Sequence, residues 1–320
     1  MNSIKKIIKQ KAFETSFGIF LFYRVRVIRE KLALILFSDL RYIEYNYKKR
    51  FSRDINLKNP KAYTEKLQWL KLFYRNNDMP ICCDKYAVRD YLAQRGYEHI
   101  LHDLIGIYKN AKKIDFESLP NSFVAKATHG SSWNLICIDK TSLNWKIWVK
   151  IMNSWMKLNL YVFGREWNYK NVPPQIIVEK FINQSPLIDY KFMCFNGEPK
   201  YLQINNEYKG KHYVDFYNIN WEKEDFTYKI YTKSDRTIEK PLQFDEMFRL
   251  AQEISKPFPF ARIDFYNVDN KIIFGEITFF PGGGLLPLIP IENKYDELLG
   301  TLLDLPEPNH NLELYNKINN

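Results

Sequence analysis

Apolar residues recur at helical spacing in the first half of the chain. In "NPKAYTEKLQWLKLFY", Leu67, Leu70 and Phe73 fall on one face, as expected of an amphipathic helix. Asn59 is a suitable N-cap for this helix, and Pro60 suits its first position. The pattern therefore predicts a helix that begins near residue 60.

Two more helices are predicted before residue 160. One begins at Asp84 in "DKYAVRDYLAQRG" and ends at Gly96, because glycine is favoured just after a helix C-terminus. The other is "NWKIWVKIMNSWMKL", whose large apolar residues share one face. We expect that face to pack in the core; its members are Trp145, Trp148, Met152 and Trp155.

Strand patterns dominate from residue 175 onward. The runs are "QIIVEKFI", "DYKFMCFNG", "PKYLQINNEY" and "HYVDFYN", followed by a helix "DEMFRLAQEIS" and a hairpin of "FARIDFYNV" and "KIIFGEITFF". Strands and helices are mixed without strict alternation. This order predicts an α+β fold rather than a doubly wound parallel sheet.

Composition excludes several protein classes. The 320 residues are 46% hydrophobic and 16% aromatic, with only 12 glycines and 15 prolines, which predicts a globular chain of two or three lobes. Of the four cysteines, Cys82 and Cys83 are adjacent while Cys137 and Cys194 are isolated. This spacing fits neither a disulfide framework nor a zinc site, and predicts a reducing, cytoplasmic location.

The positive charge is local. The net charge is +10, but residues 1–50 contain 12 Lys or Arg against 4 Asp or Glu, which leaves +2 for the other residues. No basic stripe with interleaved aromatics follows, so nucleic acid is not a predicted partner.

The basic N-terminal segment leaves two interpretations open. Its apolar runs, "FGIFLFY" and "LALILF", are shorter than the roughly 18 to 20 residues that span a bilayer, and no signal-peptide cleavage site follows the first run. Residues 1–37 either form a helix in an anionic membrane surface or a helical cap packed on the protein. The apolar positions at helical spacing are Ile4, Ile7, Ile8, Phe17, Phe20, Leu21 and Ile28.

A lysine interrupts the apolar strand "SFVAKA". Lys126 precedes a short loop, "THGSSW", and a second strand, "NLICI". A lysine in a strand is ordinarily an edge residue in solvent. The adjoining Gly-Ser-Ser loop, whose backbone N–H groups and hydroxyls suit phosphate oxygens, instead favours an anion-binding role.

The hairpin near the C-terminus carries two acidic residues. Arg262, Asp264 and Tyr266 share one face of the first strand, while Glu276 and Thr278 are the polar residues of the second. An apolar face is predicted for Ile263, Phe265, Ile273, Ile277 and Phe279.

The register of the hairpin decides whether Asp264 and Glu276 meet. A two-residue turn at Asp269 and Asn270 would put the carboxylates on different faces. We predict a three-residue loop ending at Lys271, with a bulge, which makes them direct neighbours.

Facing carboxylates need a cation between them or exposure to solvent. Mg²⁺ is a natural candidate, although Arg262 or a surface lysine could neutralise the pair instead. The run Gly282, Gly283 and Gly284 follows directly. Its N–H groups could converge on an anion, its backbone could admit a substrate closely, or it could be a plain turn.

Taken in order, these segments resemble the ATP-grasp superfamily, specifically its TupA-like branch associated with teichuronopeptide and other bacterial surface polysaccharides. The resemblance covers residues 38–306. It is carried by "NPKAYTEKLQWLKLFYRN", "DKYAVRDYL", "LPNSFVAKATHGSSWN", "GREWNYKN", "IIVEKFI", "DYKFMCFNGEPKY", "FPFARIDFY" and "GEITFFPGGG".

The resemblance implies an ATP-grasp fold, in which two α+β lobes hold MgATP between them and activate a carboxylate as an acyl phosphate for attack by an amine. It divides this chain into a basic helical segment (1–58), a helical region (59–118), a first lobe with the Gly-Ser-Ser flap (119–178), a second lobe with the metal site (179–306) and a tail (307–320).

The resemblance also implies roles for individual residues. Lys85 and Lys126 would contact phosphates, and Arg262 would stabilise the acyl phosphate. The flap would be His129, Gly130, Ser131 and Ser132. Glu179 and Lys180 would read adenine through backbone groups, with Phe181 and Ile182 packed near the base. Asp189 and Lys191 would read ribose or phosphate. Asp264, Glu276 and Thr278 would hold Mg²⁺, and Gly282, Gly283 and Gly284 would border the acceptor pocket.

Thr278 departs from the wider superfamily, where many members have an asparagine metal ligand. The number of Mg²⁺ ions therefore stays open. The implied function is an ATP-dependent carboxylate–amine ligase that joins an amino acid or amine to a uronic acid of a surface polysaccharide. The alternative is a glycan transferase that reuses the same scaffold.

Overall fold

The computed structural model describes residues 16–319. The chain forms two compact units, which are described separately. The first comprises the described residues up to Ser38 together with Pro80–Gln94 and His102–Ile182, and the second comprises Asp39–Met79, Arg95–Leu101 and the residues from Asn183 onward.

The α-helices and strands are interspersed along the chain. The helices are α1 (Ser16–Leu36), α2 (Asp39–Phe51), α3 (Tyr63–Phe73), α4 (Asp78–Cys83), α5 (Ala87–Ala93), α6 (Trp145–Trp155), α7 (Tyr161–Gly164), α8 (Phe244–Ser255), α9 (Glu292–Thr301) and α10 (Leu312–Asn319). The strands are β1 (Leu104–Tyr108), β2 (Phe123–Ala127), β3 (Asn134–Cys137), β4 (Ile176–Lys180), β5 (Asp189–Phe195), β6 (Glu198–Tyr208), β7 (Lys211–Asn218), β8 (Thr227–Tyr228), β9 (Phe260–Val268), β10 (Lys271–Thr278) and β11 (Leu288–Ile289).

The first unit is built on a four-stranded antiparallel sheet in the order β1-β4-β2-β3. Helix α6 begins where the Asn144 side chain accepts the Ile147 N–H. Met152 and Trp155 are buried against the sheet, and Trp145 and Trp148 pack around them. The predicted core face of this helix is confirmed.

The second unit is built on a five-stranded antiparallel sheet in the order β10-β9-β5-β6-β7, with a separate two-stranded pair, β11-β8. Helix α8 covers one face through Met247, Leu250 and Ile254, all buried. Phe192 and Phe265 meet edge to face beneath it, with ring centroids 5.9 Å apart. The opposite face carries the polar residues described below.

Helix α3 begins later than predicted. Its N-cap is Ala62 rather than Asn59, because the Glu65 carboxylate accepts the N–H groups of Lys61 (3.1 Å) and Ala62 (3.2 Å). Asn59 instead donates its own N–H to Asn56. A buried glutamate in the first turn therefore caps the start of the helix, a role that the sequence suggested for an asparagine.

Helix α5 is shorter than predicted. Asp84 does not open the helix but caps it, accepting the N–H groups of Tyr86 (2.8 Å) and Ala87 (3.3 Å). The helix ends at Ala93, and the predicted terminal glycine, Gly96, follows in a left-handed conformation at φ 84°.

Asp264 and Glu276 are paired in the β9–β10 hairpin, as predicted, but the turn that pairs them differs from the predicted one. Val268 pairs with Lys271, so the connection is the two-residue turn Asp269–Asn270, with φ of 48° and 61°. The predicted three-residue loop is wrong. A bulge at Gly275 then shifts the register, so that Glu276 pairs directly with Asp264.

The same bulge corrects the predicted apolar face. Ile273 pairs with Tyr266 and so lies on the face of Asp264, not on that of Ile263 and Ile277. Gly275 suits the bulge because a Cβ at this position would lie 3.0 Å from the Asp264 carbonyl oxygen.

Of the helices between residues 16 and 319, none is long and apolar enough to cross a bilayer.

The two-residue turn generates a stability prediction. Asn270→Gly should leave the free energy of unfolding unchanged or raise it by up to about 1 kcal/mol, since glycine adopts positive φ at no steric cost. Asn270→Val should lower it by about 1 to 2 kcal/mol, because a β-branched residue is disfavoured there. Urea unfolding measures both, and equal effects of the two substitutions would contradict the turn.

Candidate functional site

In the first unit, Lys126 is held by a carboxylate. Its ammonium in β2 lies 2.6 Å from Glu179 Oε2 in the neighbouring strand β4. The Glu179 side chain is only 9% exposed, so its charge requires a nearby cation. Lys126 is therefore not a solvated edge lysine. The side chain of Glu179, and not only its backbone, belongs to the charged cluster around Lys126.

A second cation lies beside this pair, and a third lies at the adjoining loop. Arg89 Nη1, in α5, lies 3.9 Å from Glu179 Oε1. Lys85 donates from Nζ to the Gly130 carbonyl at 2.9 Å. Two cations, Lys126 and Arg89, against the Glu179 carboxylate give this cluster a net charge of +1, and burial lowers the pKa of the nearby His102. The cluster suits a polyanion such as a phosphate chain.

The Gly-Ser-Ser loop has a fixed base and an exposed tip. The His129 ring packs on Trp133 at 5.2 Å between centroids, and its Nε2 donates to the Trp155 carbonyl at 3.0 Å. Ser131 and Ser132 at the tip are exposed. His129 was predicted to close over phosphates, but it lies buried in the core of the unit instead.

Gly130 explains why the loop needs a glycine. A Cβ there would lie 2.3 Å from the Trp133 ring. The Trp133 carbonyl in turn accepts the Ala127 N–H at 2.9 Å, which closes the loop at the end of β2.

The segment predicted to bind adenine lies at the C-terminal end of β4. The Lys180 N–H donates to the Asp103 carbonyl at 3.1 Å, and the Lys180 ammonium pairs with the exposed Asp103 carboxylate at 2.6 Å. The Lys180 N–H is thus not a free donor for an adenine edge. Phe181 and Ile182 follow the strand and are half-buried.

In the second unit, paired positions across four strands form one polar row. Glu276 of β10 pairs with Asp264 of β9, Asp264 with Lys191 of β5, and Lys191 with Gln203 of β6. Directly paired residues in a sheet share a face. The row therefore brings these side chains together on the face opposite α8.

Asp264 is the centre of this row. Arg262 donates to it from Nε (2.8 Å) and Nη2 (2.7 Å), and Lys191 Nζ lies 2.5 Å from its Oδ2. The Asp264 side chain is 2% exposed. Burial opposes the charge on Arg262, but Asp264 outweighs it and holds the pKa of Arg262 above its usual value.

Arg262 also reaches the outer residues of the cluster. Its Nη2 lies 3.3 Å from Glu276 Oε1 and 3.1 Å from Thr278 Oγ1, and Thr278 donates to Glu276 at 3.2 Å. Glu276 is 36% exposed, so the accessible oxygen atoms of the cluster are on its outer side.

Asp189 and Lys191 form an ion pair. Lys191 Nζ lies 2.5 Å from Asp189 Oδ2 as well as from Asp264 Oδ2. Burial raises the pKa of Asp189, and Lys191 partly offsets this effect. Lys191, which was predicted to contact ribose or phosphate, is instead paired with two carboxylates.

The glycine run adopts a left-handed turn. Gly282, Gly283 and Gly284 have φ of 57°, 68° and 65°. The Gly283 N–H donates to the Phe280 carbonyl at 2.8 Å and the Leu285 N–H to the Gly282 carbonyl at 3.4 Å. Of the three glycine N–H groups, that of Gly283 is therefore used within the turn and is not directed at an anion.

The carbonyls of this turn are held by α3. Gln68 Nε2 donates to Gly283 (3.1 Å) and Gly284 (2.9 Å), and the buried Lys71 donates to Gly283 at 2.5 Å. A Cβ at Gly284 would lie 2.6 Å from Gln68 Nε2, so close approach requires glycine.

Comparison with known proteins identifies the family. The family model described as TupA-like ATPgrasp matches residues 65–304, three quarters of the chain.

The chain belongs to the TupA-like ATP-grasp family. The predicted family and its α+β fold are confirmed. No curated protein matches the chain.

Three of the solved structures that are similar to this family member are ligases. A D-alanine–D-alanine ligase from Bacillus anthracis is 19% identical with a TM-score of 0.37, and the match covers 62% of this chain and 57% of that one. The corresponding enzyme from Helicobacter pylori is 15% identical, with a TM-score of 0.40 and 77% and 71% coverage. An L-amino acid ligase from Bacillus licheniformis is 14% identical, with a TM-score of 0.36 and 64% and 42% coverage. The chain thus spans little more than half of the Bacillus anthracis ligase.

The carboxylate cluster of this TupA-like chain fits Mg²⁺ if a ligand supplies further oxygens. Within the described part of the chain, no group of three or more His, Cys, Asp or Glu could hold a metal by itself. Mg²⁺ commonly takes one or two carboxylates and completes its shell with water and phosphate oxygens. Glu276 and Thr278 offer accessible oxygens, while Asp264 lies behind them among cations.

Four polar residues of these clusters were missed from the sequence. Gln68 and Lys71 are spaced i, i+3 among the apolar residues of the stretch 67–73, and that spacing was the available signal. Arg89 lies in the quoted "DKYAVRDYL" but pairs with Glu179 only through the tertiary fold. Gln203 is buried beside Lys191 because of strand order, which the sequence does not reveal.

The Asp189–Lys191–Asp264 cluster predicts a non-additive mutant cycle. Lys191→Met should lower the free energy of unfolding by about 3 to 5 kcal/mol, because it leaves two buried carboxylates without their shared cation. Adding Asp189→Asn should recover part of that loss.

Urea unfolding measures each variant of this cycle. Lys180→Met is the matched control, since it breaks an exposed pair with Asp103 and should cost less than about 1 kcal/mol. Equal losses for Lys191→Met and Lys180→Met would contradict the cluster.

Proposed function

We propose that this protein is an ATP-dependent carboxylate–amine ligase. The observation that carries the proposal is the Arg262–Asp264–Glu276–Thr278 cluster, set by the β9–β10 register within a chain of the ATP-grasp family. It combines a buried, oriented guanidinium with accessible oxygen ligands.

The phosphates of ATP bind the cationic cluster of the first unit. Lys126, Lys85 and Arg89 supply the charge, and Glu179 fixes the Lys126 ammonium in place. Ser131 and Ser132, exposed at the loop tip, supply hydroxyl and N–H donors.

The carboxylate cluster of the second unit would hold the metal ion. Glu276, Thr278 and Asp264 are the residues that would hold Mg²⁺, which neutralises phosphate charge when it is bound. With three carboxylates (Asp189, Asp264, Glu276) against two cations (Lys191, Arg262), the cluster has a net charge of −1, which favours a divalent cation.

The chemistry proceeds in two steps. A carboxylate oxygen of the substrate attacks the γ-phosphorus, and the bond to ADP breaks. An amine nitrogen then attacks the carbonyl carbon of the acyl phosphate, phosphate leaves, and the amine loses its proton to solvent. Arg262, oriented by Asp264, stabilises the negative charge on the reacting oxygens.

The proposed carboxylate donor is a uronic acid of a bacterial surface polysaccharide or its precursor, and the proposed nucleophile is an amino acid or amine. Support for this substrate class is the family association alone. A cytoplasmic reaction is consistent with the need for ATP.

Nucleotide binding tests the proposal without knowledge of the acceptor. Binding to the folded state alone must raise stability, by about 2.7 kcal/mol at 100 times the dissociation constant. We expect MgATP to raise the Tm of the wild type by several degrees. Lys126→Ala and Glu276→Gln should each lose most of that rise.

Exposed residues of the same types serve as controls. Lys150→Ala and Glu297→Gln should keep the full MgATP effect. A nucleotide sugar that raises the Tm while MgATP does not would overturn the ligase proposal and favour a transferase.

A further inference from the structure

Helix α1 exposes an unusual share of the apolar surface. Of the 19 large apolar side chains that are exposed in the described chain, seven lie between residues 25 and 37. They are Val25, Ile28, Leu32, Leu34, Ile35, Leu36 and Phe37.

Most of these residues form one stripe along the helix. At 100° per residue, five of them fall within an arc of about 100°. We call this set the apolar stripe: Val25, Ile28, Leu32, Ile35 and Leu36. Ile35 is 79% exposed and Leu36 65%, so the described chain leaves this arc uncovered.

Basic residues flank the apolar stripe on both sides. Arg29 falls on one side of the arc, and Arg24 and Lys31 fall on the other; all three are exposed. In sequence, residues 1–38 contain 8 Lys or Arg and 2 Glu, a net charge of +6 out of the +10 of the chain. Residues 1–15, with Ile4, Ile7 and Ile8, lie outside the described residues.

The opposite side of the helix is fixed to the first unit. Val27 packs against the core of that unit. Arg165, only 1% exposed, donates from Nη2 to the carbonyls of Ala33 (2.9 Å) and Phe37 (3.4 Å) at the C-terminal end of α1. These bonds satisfy carbonyls that a helix end leaves unpaired. The helix is thus a built part of the unit, with the apolar stripe on its outer side.

We propose that α1 binds the surface of an anionic lipid bilayer, with the apolar stripe in the acyl region and its flanking cations at the lipid phosphates. An apolar arc bordered by cations is the pattern of helices that lie in a membrane interface. The concentration of positive charge in this segment argues for an anionic surface over a second copy of this chain, which would bring +6 against +6. This inference is independent of the proposed reaction.

Vesicle binding of the full chain tests the proposal. The protein should sediment with vesicles of phosphatidylglycerol and phosphatidylcholine, and much less with phosphatidylcholine alone. Arg29→Gln with Lys31→Gln should weaken binding roughly 25-fold, since each basic residue near an anionic surface contributes about fivefold. Leu32→Ser with Ile35→Ser should weaken it about tenfold or more. Ile138→Ser is the matched control, because Ile138 is 70% exposed in the same unit, and it should bind as the wild type does.

A fluorescent label reports membrane contact directly, without relying on a variant whose vesicle binding is weakened. The native cysteines are all buried, so an environment-sensitive dye on Ile35→Cys reports on the apolar stripe. We expect a blue shift on adding anionic vesicles and none for the same dye on Ile138→Cys. Unchanged spectra at Ile35→Cys, or equal binding to neutral vesicles, would overturn the proposal. So would a wild-type dimer that Leu32→Ser with Ile35→Ser makes monomeric without any change in vesicle binding.

Discussion

The second unit depends on a buried carboxylate, Asp264, held by two cations. Arg262 binds it through two nitrogens and Lys191 through a third, in a position only 2% exposed. An isolated charge at this depth would cost several kcal/mol, so the three groups are stable only together. The sheet supplies this arrangement, because strand pairing puts Lys191, Asp264 and Glu276 in one row.

This constraint gives Arg262 a fixed direction. Held from behind by Asp264, its guanidinium presents Nη2 to Glu276 and Thr278 at the accessible edge. A donor that is already oriented needs no reorganisation when negative charge develops beside it, which is the physical basis of its proposed role. The first unit follows a similar principle, since Glu179 fixes Lys126 and Lys85 holds the Gly130 carbonyl of the adjoining loop.

The sequence predicted the bounds of helices and strands better than the contacts between them. Strand β9 has the bounds of the quoted run "FARIDFYNV", because its apolar and polar residues alternate and turn residues bound it. The meeting of Asp264 and Glu276 was predicted correctly, but through a longer loop. Alternation reveals which residues share a face, whereas the bulge at Gly275 depends on how the backbones approach each other.

Side-chain pairing was the least predictable level. The family resemblance implies ligand-binding roles for His129 and Lys191, yet His129 lies in the core against Trp133 and Lys191 lies between two carboxylates. Each position also depends on a residue distant in sequence, Trp155 for His129 and Asp264 for Lys191. Only the order of strands in the sheet decides, for example, that Gln203 lies beside Lys191.

The fate of a carboxylate oxygen tests the central claim most directly. The protein is incubated with Mg²⁺, ATP, a mixture of amino acids and a uronic acid oligosaccharide whose carboxyl groups carry ¹⁸O, and the released phosphate is analysed by mass. An acyl phosphate intermediate requires one ¹⁸O in each phosphate released, together with ADP and an amide product. An amide formed with unlabelled phosphate, or a glycan product formed only from a nucleotide sugar, would contradict the account.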